Sequence, residues 1–200
     1  AAMIVAQMVT FRLPATHSYL LLAVLLIPVS LVFLKLPSPM PTARIVTGGH
    51  AAARPQQVLL IGLFFFLYVG AEVGFAGWIY TYATTLRLSD VSTAAYLTSL
   101  FWGALTLGRM LTIPVVARMS SESVLISSLS GCLISLVLIL TSPSSLTAVF
   151  AGTFCLGVSM APIFPTTLSL AGRRMRLTGH VTGWFIVGAS AGSMLIPLLI

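Results

Sequence analysis

Two ionisable side chains stand inside long apolar runs: Glu72 in LYVGAEVGFAGWIYTY and Arg109 in SLFWGALTLGRMLTIPVVARM. A charge in the middle of a bilayer costs about 2.5–3.5 kcal/mol on insertion scales, and it is tolerated where it faces a partner or a watery cavity. Burial disfavours the charged form of a carboxylate, so Glu72 must find a cation or take up a proton. That is the chemistry of an ion-coupling group; the plainer alternative is a structural hydrogen bond inside a helix bundle. Arg109 lies about two turns from the end of its run at Ala117 and can extend its long side chain toward that interface, which suits a structural or gating role as well as substrate contact. At about 1.5 Å per residue, Glu72 sits roughly 20 Å and Arg109 roughly 12 Å from the same membrane face. That offset is near the limit of two side chains, and a direct pair is not expected.

The aromatic residues after Glu72 form a second candidate set: Phe75, Trp78, Tyr80 and Tyr82. Rings with polar handles can pack against the apolar face of a small polar solute and hydrogen-bond its hydroxyls, so Trp78 and Tyr82 are candidate solute contacts. An interfacial aromatic belt is the alternative. Gly70, Gly74 and Gly77 allow this stretch to pack closely or to unwind. Further on, GVSMAPIFPTTLSLAG carries Pro162 and Pro165, which remove backbone donors and invite a kink. Thr166, Thr167 and Ser169 are positioned to re-satisfy the freed groups, and broken helices of this kind line transporter sites. Gly188 and Gly192 form a GxxxG close-packing pattern, and Trp184 is a candidate interfacial anchor. His17, His50 and His180 fall in connections or at the ends of runs. There is no Ser/His/Asp, metal or phosphate-loop pattern, so no catalytic or metal-binding residue is expected and no cofactor beyond a coupling ion.

The elements that must position these residues are membrane spans. Apolar residues make up 58% of the 200 and charged residues only 6%, with a mean hydropathy of +1.09; a soluble domain carries roughly 25% charged residues. Six runs approach or exceed the roughly 20 residues that cross a bilayer: 18–36, 58–84, 93–117, 124–141, 146–171 and 181–200. The expected fold class is all-α, a polytopic transmembrane helical bundle. The longest polar interruption, Pro37–Gln57, reads as a flexible linker rich in proline, glycine and small residues. The expected organisation is therefore 1–36 as the end of a preceding half, 37–57 as linker and 58–200 as a second membrane-embedded half. A start at Ala1 and an apolar run continuing to Ile200 give the expectation of a fragment. Cys132 and Cys155 lie inside apolar runs and read as small buried residues, not a disulfide framework.

The net charge of +7 is explained by topology and not by nucleic acid. Lys35, Arg44, Arg54, Arg118, Arg173, Arg174 and Arg176 fall on one side of the alternating spans, and only Arg12 and Arg87 on the other. The positive-inside rule places the linker and the Arg173–Arg176 cluster in the cytoplasm.

The segments AEVGFAGWIYTYA, SLFWGALTLGRM and MAPIFPTTLSLA, in that order, resemble the C-terminal half of major facilitator carriers. The resemblance covers about Val58 to Ile200, and within the superfamily it is to the sodium-dependent glucose transporter 1-like group (major facilitator domain-containing protein 4), related to the fucose permeases. It implies that the six runs are helices six to eleven of a twelve-helix fold, that Pro37–Gln57 is the central cytoplasmic loop, and that the helices of Glu72 and of Pro162–Pro165 line the central cavity. The family's loop signature after Gly-Arg carries an Asp-Arg pair; here Ala117-Arg118 stands in its place, which weakens any gating interaction at that loop. The resemblance implies a secondary active transporter of small polar solutes, sugars first, coupled to sodium or protons and working by alternating access in the plasma membrane. Its partners would be the solute, the lipid bilayer and the other half of the same protein. Substrate-binding or coupling candidates are Glu72, Trp78, Tyr82, Arg109, Pro162, Pro165 and Thr166. The alternatives are a non-transporting receptor or assembly protein of the same fold, and a carrier of lipids or other amphiphiles, which an apolar cavity without an acid would favour.

Overall fold

The computed structural model describes residues 15–36, 54–88 and 90–200. Arg12, Arg44, His50 and the linker as far as residue 53 lie outside the described residues. The chain divides into two units, Ala1–Gly49 and His50–Ile200. In the first, α1 (Ala15–Lys35) is a 21-residue apolar helix with Pro28 inside it and Lys35 in its last turn.

The second unit holds α2 (Pro55–Thr85), α3 (Val91–Val116), α4 (Ser121–Thr141), α5 (Leu146–Met160), α6 (Ile163–Arg174) and α7 (Gly179–Leu199). The expected linker is shorter than its composition indicates. Pro55 opens α2 behind an extended Arg54, because its fixed φ suits the first helical turn and its missing N–H is not needed there. The short polar connections serve as caps. Ser120, Ser145 and Thr178 each accept a hydrogen bond from the backbone N–H three residues on, satisfying donors that the first turn leaves free. At the end of α2, Arg87 takes a left-handed φ of 53°. The N–H groups of Arg87 and Leu88 bond back to Thr84 and Ala83, closing the helix in a Schellman arrangement normally built on glycine. In the same turn, the Ser92 hydroxyl donates to Asp90, and hydrogen bonds from Ser92 and then Thr93 hold the Asp90 carboxyl down at about 2.

Five segments of this unit are long and apolar enough to cross a membrane, the fourth being α5 and α6 together. Large apolar side chains such as Leu59, Ile113, Ile134 and Leu198 stay exposed, an arrangement lipid can cover and water cannot. Helix α2 packs most closely on α7, α3 on α5, and α4 on α5 and α6. Glycines set these spacings. Gly62 and Phe66 of α2 meet Gly188 and Gly192 of α7 backbone to backbone, and Gly157 of α5 meets Phe101 and Ala104 of α3. Both pairs run parallel. The fold therefore brings Arg54, Arg118, Arg173, Arg174 and Arg176 to one end and Arg87 to the other.

Three buried clusters stack along the bundle. Phe65, Met175, Val181 and Phe185 fill the basic end. Tyr68, Phe101, Leu105, Leu156, Met160 and Ile163 fill the middle. Ile79, Ala83, Leu97, Ile139 and Val149 fill the opposite end.

Candidate functional site

Glu72 is buried in the middle of α2. The Arg109 Nη2 lies 3.8 Å from its Oε1, with side-chain exposures of 54% for Arg109 and 8% for Glu72. The expectation that these two would not meet is corrected: the offset between their levels was counted rightly, and the reach of the arginine side chain was underestimated. The short turn 86–90 joins the two helices at the end opposite the basic one. From there Glu72 is 13 residues back from Thr85 and Arg109 is 18 residues on from Val91, about 20 and 27 Å at about 1.5 Å per residue. An arginine side chain covers that difference. At 3.8 Å the contact is an ion pair without a hydrogen bond, between a buried carboxylate and a half-exposed guanidinium.

One turn before Glu72, the Tyr68 hydroxyl donates to the Met160 carbonyl at 2.9 Å. Met160 is the last residue of α5, and the break between α5 and α6 follows at Ala161 and Pro162. Both residues keep helical dihedrals, with φ/ψ of −53°/−44° and −75°/−18°. The break is thus a loss of donors more than an unwinding. Pro162 and Pro165 have no N–H to offer the carbonyls of Val158 and Ala161. Helix α3 closes on this point through Gly108, where an added Cβ would come within 2.9 Å of the Val158 oxygen and 2.6 Å of the Ala161 Cβ. Arg109 is the next residue, so the same close approach carries its side chain toward Glu72.

Thr166 and Thr167 do not re-satisfy the break, contrary to expectation. Both are buried, Thr166 at 2% exposure, and both hydroxyls lack a hydrogen-bond partner among the described residues. A threonine hydroxyl reaches carbonyls three or four residues back. From position 166 that stops at Pro162, whose carbonyl is already taken by the Thr166 N–H; Val158 and Ala161 are out of range.

The aromatic set after Glu72 divides. The Trp78 Nε1–H donates to the Pro197 carbonyl of α7 at 3.2 Å. With Phe75, Tyr68 and Met160, Trp78 lines a groove of about 600 Å³ whose other walls include Leu136 and Ile196. Tyr82 instead packs against the cluster of Ile79, Ala83 and Leu97. The structure brings Glu72, Arg109 and the Pro162–Pro165 break together around Tyr68, sets Trp78 at the groove and leaves Tyr82 apart. Tyr68 and Gly108 were not singled out from the sequence. The signal was there in the one-turn spacing from Tyr68 to Glu72 and in the Gly108-Arg109 dipeptide. At the basic end, Arg174 and Glu122 form a 2.7 Å ion pair, so an acid does stand near the Ala117-Arg118 loop, four residues on from Arg118.

The Major Facilitator Superfamily sequence profile matches residues 1–197. The chain belongs to this superfamily. It is an integral, multi-pass membrane protein, and its helices are part of the major facilitator bundle; the superfamily is one of transporters and not of enzymes. The chain is 39% identical over 142 residues to sodium-dependent glucose transporter 1 of Xenopus laevis, covering 70% of this chain and 29% of that protein. It is 34% identical over 136 residues to major facilitator superfamily domain-containing protein 4A of Xenopus tropicalis, covering 68% and 27%. It is 32% identical over 170 residues to human sodium-dependent glucose transporter 1, covering 84% and 33%. The chain thus spans about a third of the length of these relatives or less. No solved structure matches it.

Proposed function

We propose that this chain forms the ion- and solute-handling part of a secondary transporter of small polar solutes, with sugars the first class to test, working by alternating access in the plasma membrane. The observation that carries the reading is Glu72. Of the three acidic residues in the chain, it alone is buried in the middle of a span, facing a half-exposed arginine across 3.8 Å. A carboxylate in that setting is stable when paired with Arg109, when neutralised by a bound cation, or when protonated. Sodium or a proton that displaces Arg109 stabilises one arrangement of the bundle over another, and that difference is what coupling requires. The names of the relatives, which say sodium and glucose, support the choice of both probes. Trp78, through its place at the groove, contributes to holding the solute; Pro162, Pro165 and Thr166 supply the movable break.

The test is Glu72→Gln in the complete carrier, which keeps the shape and removes the charge. The expected outcome is normal expression, loss of sodium- or proton-driven accumulation of labelled glucose, and survival of glucose exchange. Accumulation equal to wild type would leave Glu72 a structural role only.

A second reading, a carrier of lipids or other amphiphiles, draws on the groove beside Trp78, whose lining includes no acid. The same assay separates the two: an alkyl glucoside that is accumulated while glucose is not favours the amphiphile.

A further inference from the structure

We propose that Tyr68 is a positioning residue that ties the charge state of Glu72 to the proline break between α5 and α6. The proposal rests on Glu72 acting as the coupling group. The Tyr68 hydroxyl has one proton to donate and two acceptors on offer. One is the Met160 carbonyl, 2.9 Å away at the end of α5. The other is the Glu72 carboxylate, four residues on and one helical turn along the same face of α2. The other titratable groups nearby are Arg109, paired with Glu72, and Cys132, packed against the cluster that contains Tyr68.

In the arrangement seen here Arg109 stands against Glu72, and Tyr68 gives its proton to Met160. That bond matters because the break is poor in donors: Pro162 and Pro165 have already taken away the partners of the flanking carbonyls of Val158 and Ala161. When Arg109 withdraws and Glu72 stays charged, the carboxylate is the stronger acceptor, since hydrogen bonds to ionised groups are roughly twice as strong as neutral ones. Tyr68 then turns to Glu72, and the Met160 carbonyl must find another partner through movement of α6. When a cation or proton neutralises Glu72, the advantage disappears and Tyr68 remains on the break. The occupancy of Glu72 thereby selects the conformation of a helix far along the chain. The hydroxyls of Thr166 and Thr167, buried just beyond the break and without a hydrogen-bond partner among the described residues, are groups that such a movement can supply with partners.

The experiment compares Tyr68→Phe, Glu72→Gln and the double variant in the complete carrier, using labelled glucose, imposed sodium and pH gradients, and glucose exchange without a gradient. Phenylalanine keeps the ring and removes only the hydroxyl. The expected result for Tyr68→Phe is intact exchange, a fall of about tenfold in the sodium or proton concentration giving half-maximal uptake, because the charged, unoccupied carboxylate loses its hydrogen bond, and a lower accumulation ratio. The double variant should match Glu72→Gln alone, because both act through one carboxylate. If Tyr68→Phe slows exchange and accumulation by the same factor and leaves the cation dependence unchanged, the hydroxyl only packs and the proposal is overturned. In that case loss of accumulation in Glu72→Gln would keep the coupling role of Glu72 standing. Accumulation like wild type in Glu72→Gln would overturn both. Should Tyr68→Phe fail to reach the membrane, maleimide labelling of Met160→Cys, in a background with Cys132→Ser and Cys155→Ser, reads the break directly. Labelling must change when sodium or acid is added and must stop responding in Glu72→Gln; labelling indifferent to both overturns the proposal.

Discussion

Helix α2 meets α7 along one side and the group of α3, α5 and α6 along the other, and the two interfaces are built differently. Toward α7 the contact is backbone on backbone: Gly62 against Gly188, Phe66 against Gly192, and Gly70 against the Gly192 carbonyl and Ile196. On the other side Tyr68 bonds the Met160 carbonyl at the α5–α6 break and Glu72 pairs with Arg109 of α3, beside a stretch that two prolines deprive of donors. Lipid offers no hydrophobic drive to bring helices together, so close packing of small residues does much of that work. The first interface has that packing and no slack. The second exchanges packing for polar contacts that have alternatives. Helices α2 and α7 are therefore expected to move as one body, with rearrangement running through the break.

Substitutions in the glycine seam should have the largest effect on stability. A Cβ at Gly192 falls on the Phe66 carbonyl and one at Gly188 on the Gly62 carbonyl. Neither obstacle is a flexible side chain, so α2 and α7 must separate. Gly192→Val is expected to cost about 3 kcal/mol or more, seen as loss of the monodisperse peak and a lower Tm in detergent. The matched control is Gly77→Ala, where an added Cβ meets nothing within 4 Å; it should gain about 0.5–1 kcal/mol from the helix preference of alanine over glycine. Equal behaviour of the two variants would remove the distinction between seam and open surface.

Gly108→Ala tests the other interface. The new methyl meets the Val158 backbone and the Ala161 Cβ, and one of them must shift. The expected cost is about 1–3 kcal/mol, less than in the seam because the proline break can give. The effect on transport should exceed the effect on Tm, since the shift also draws Arg109 away from Glu72. A Tm loss as large as that of Gly192→Val with normal transport would show the break to be as rigid as the seam.

Thr166→Val should act in the opposite direction. Its hydroxyl is buried with no partner among the described residues, and removing such a group saves a desolvation cost of order 1 kcal/mol. A small rise in Tm together with slower transport is expected if the hydroxyl serves another conformation. A fall in Tm would mean that it is bonded in the resting protein.

What the sequence reveals follows the same division. The spans were legible because an apolar run of about 20 residues matches the thickness of a bilayer and exceeds what a soluble core demands of one helix. The glycine seam was legible in part, since Gly188 and Gly192 are one turn apart, although their partners on α2 were not. Glu72 and Arg109 stood out as charges among apolar residues, and the prolines marked the break. What could not be read was who meets whom. The levels of Glu72 and Arg109 could be counted to within a turn or so, but pairing them also needs the faces that their helices turn toward each other, which a count along the chain does not give. Tyr68 was not singled out, because an aromatic ring in such a run carries no sign of where its hydroxyl points. Thr166 was expected to re-satisfy the freed groups because its hydroxyl can reach carbonyls nearby in sequence, but those are not the ones the prolines free.

The smallest effect belongs to the ion pair at the basic end. Arg174 Nη2 and Glu122 Oε1 are 2.7 Å apart, and both side chains are 63% exposed. The pair joins the first turn of α4 to the last turn of α6, so it spans the movable side of the bundle and not the seam. Glu122 favours the α4 N-terminus and Arg174 the α6 C-terminus, which helps hold both in place. Exposure and long flexible stems reduce such a pair to about 0.2–1 kcal/mol, less as salt rises. Glu122→Gln should therefore lower Tm by a degree or two at low ionic strength, in line with that energy, and by nothing measurable at about 1 M salt, where charges are screened within about 3 Å. If the pair also restrains the break, the variant should transport slightly faster at low salt and match wild type at high salt. A salt-independent loss of Tm would instead mean that Glu122 acts through the cap of α4, and the restraint on the movable side would have to lie elsewhere.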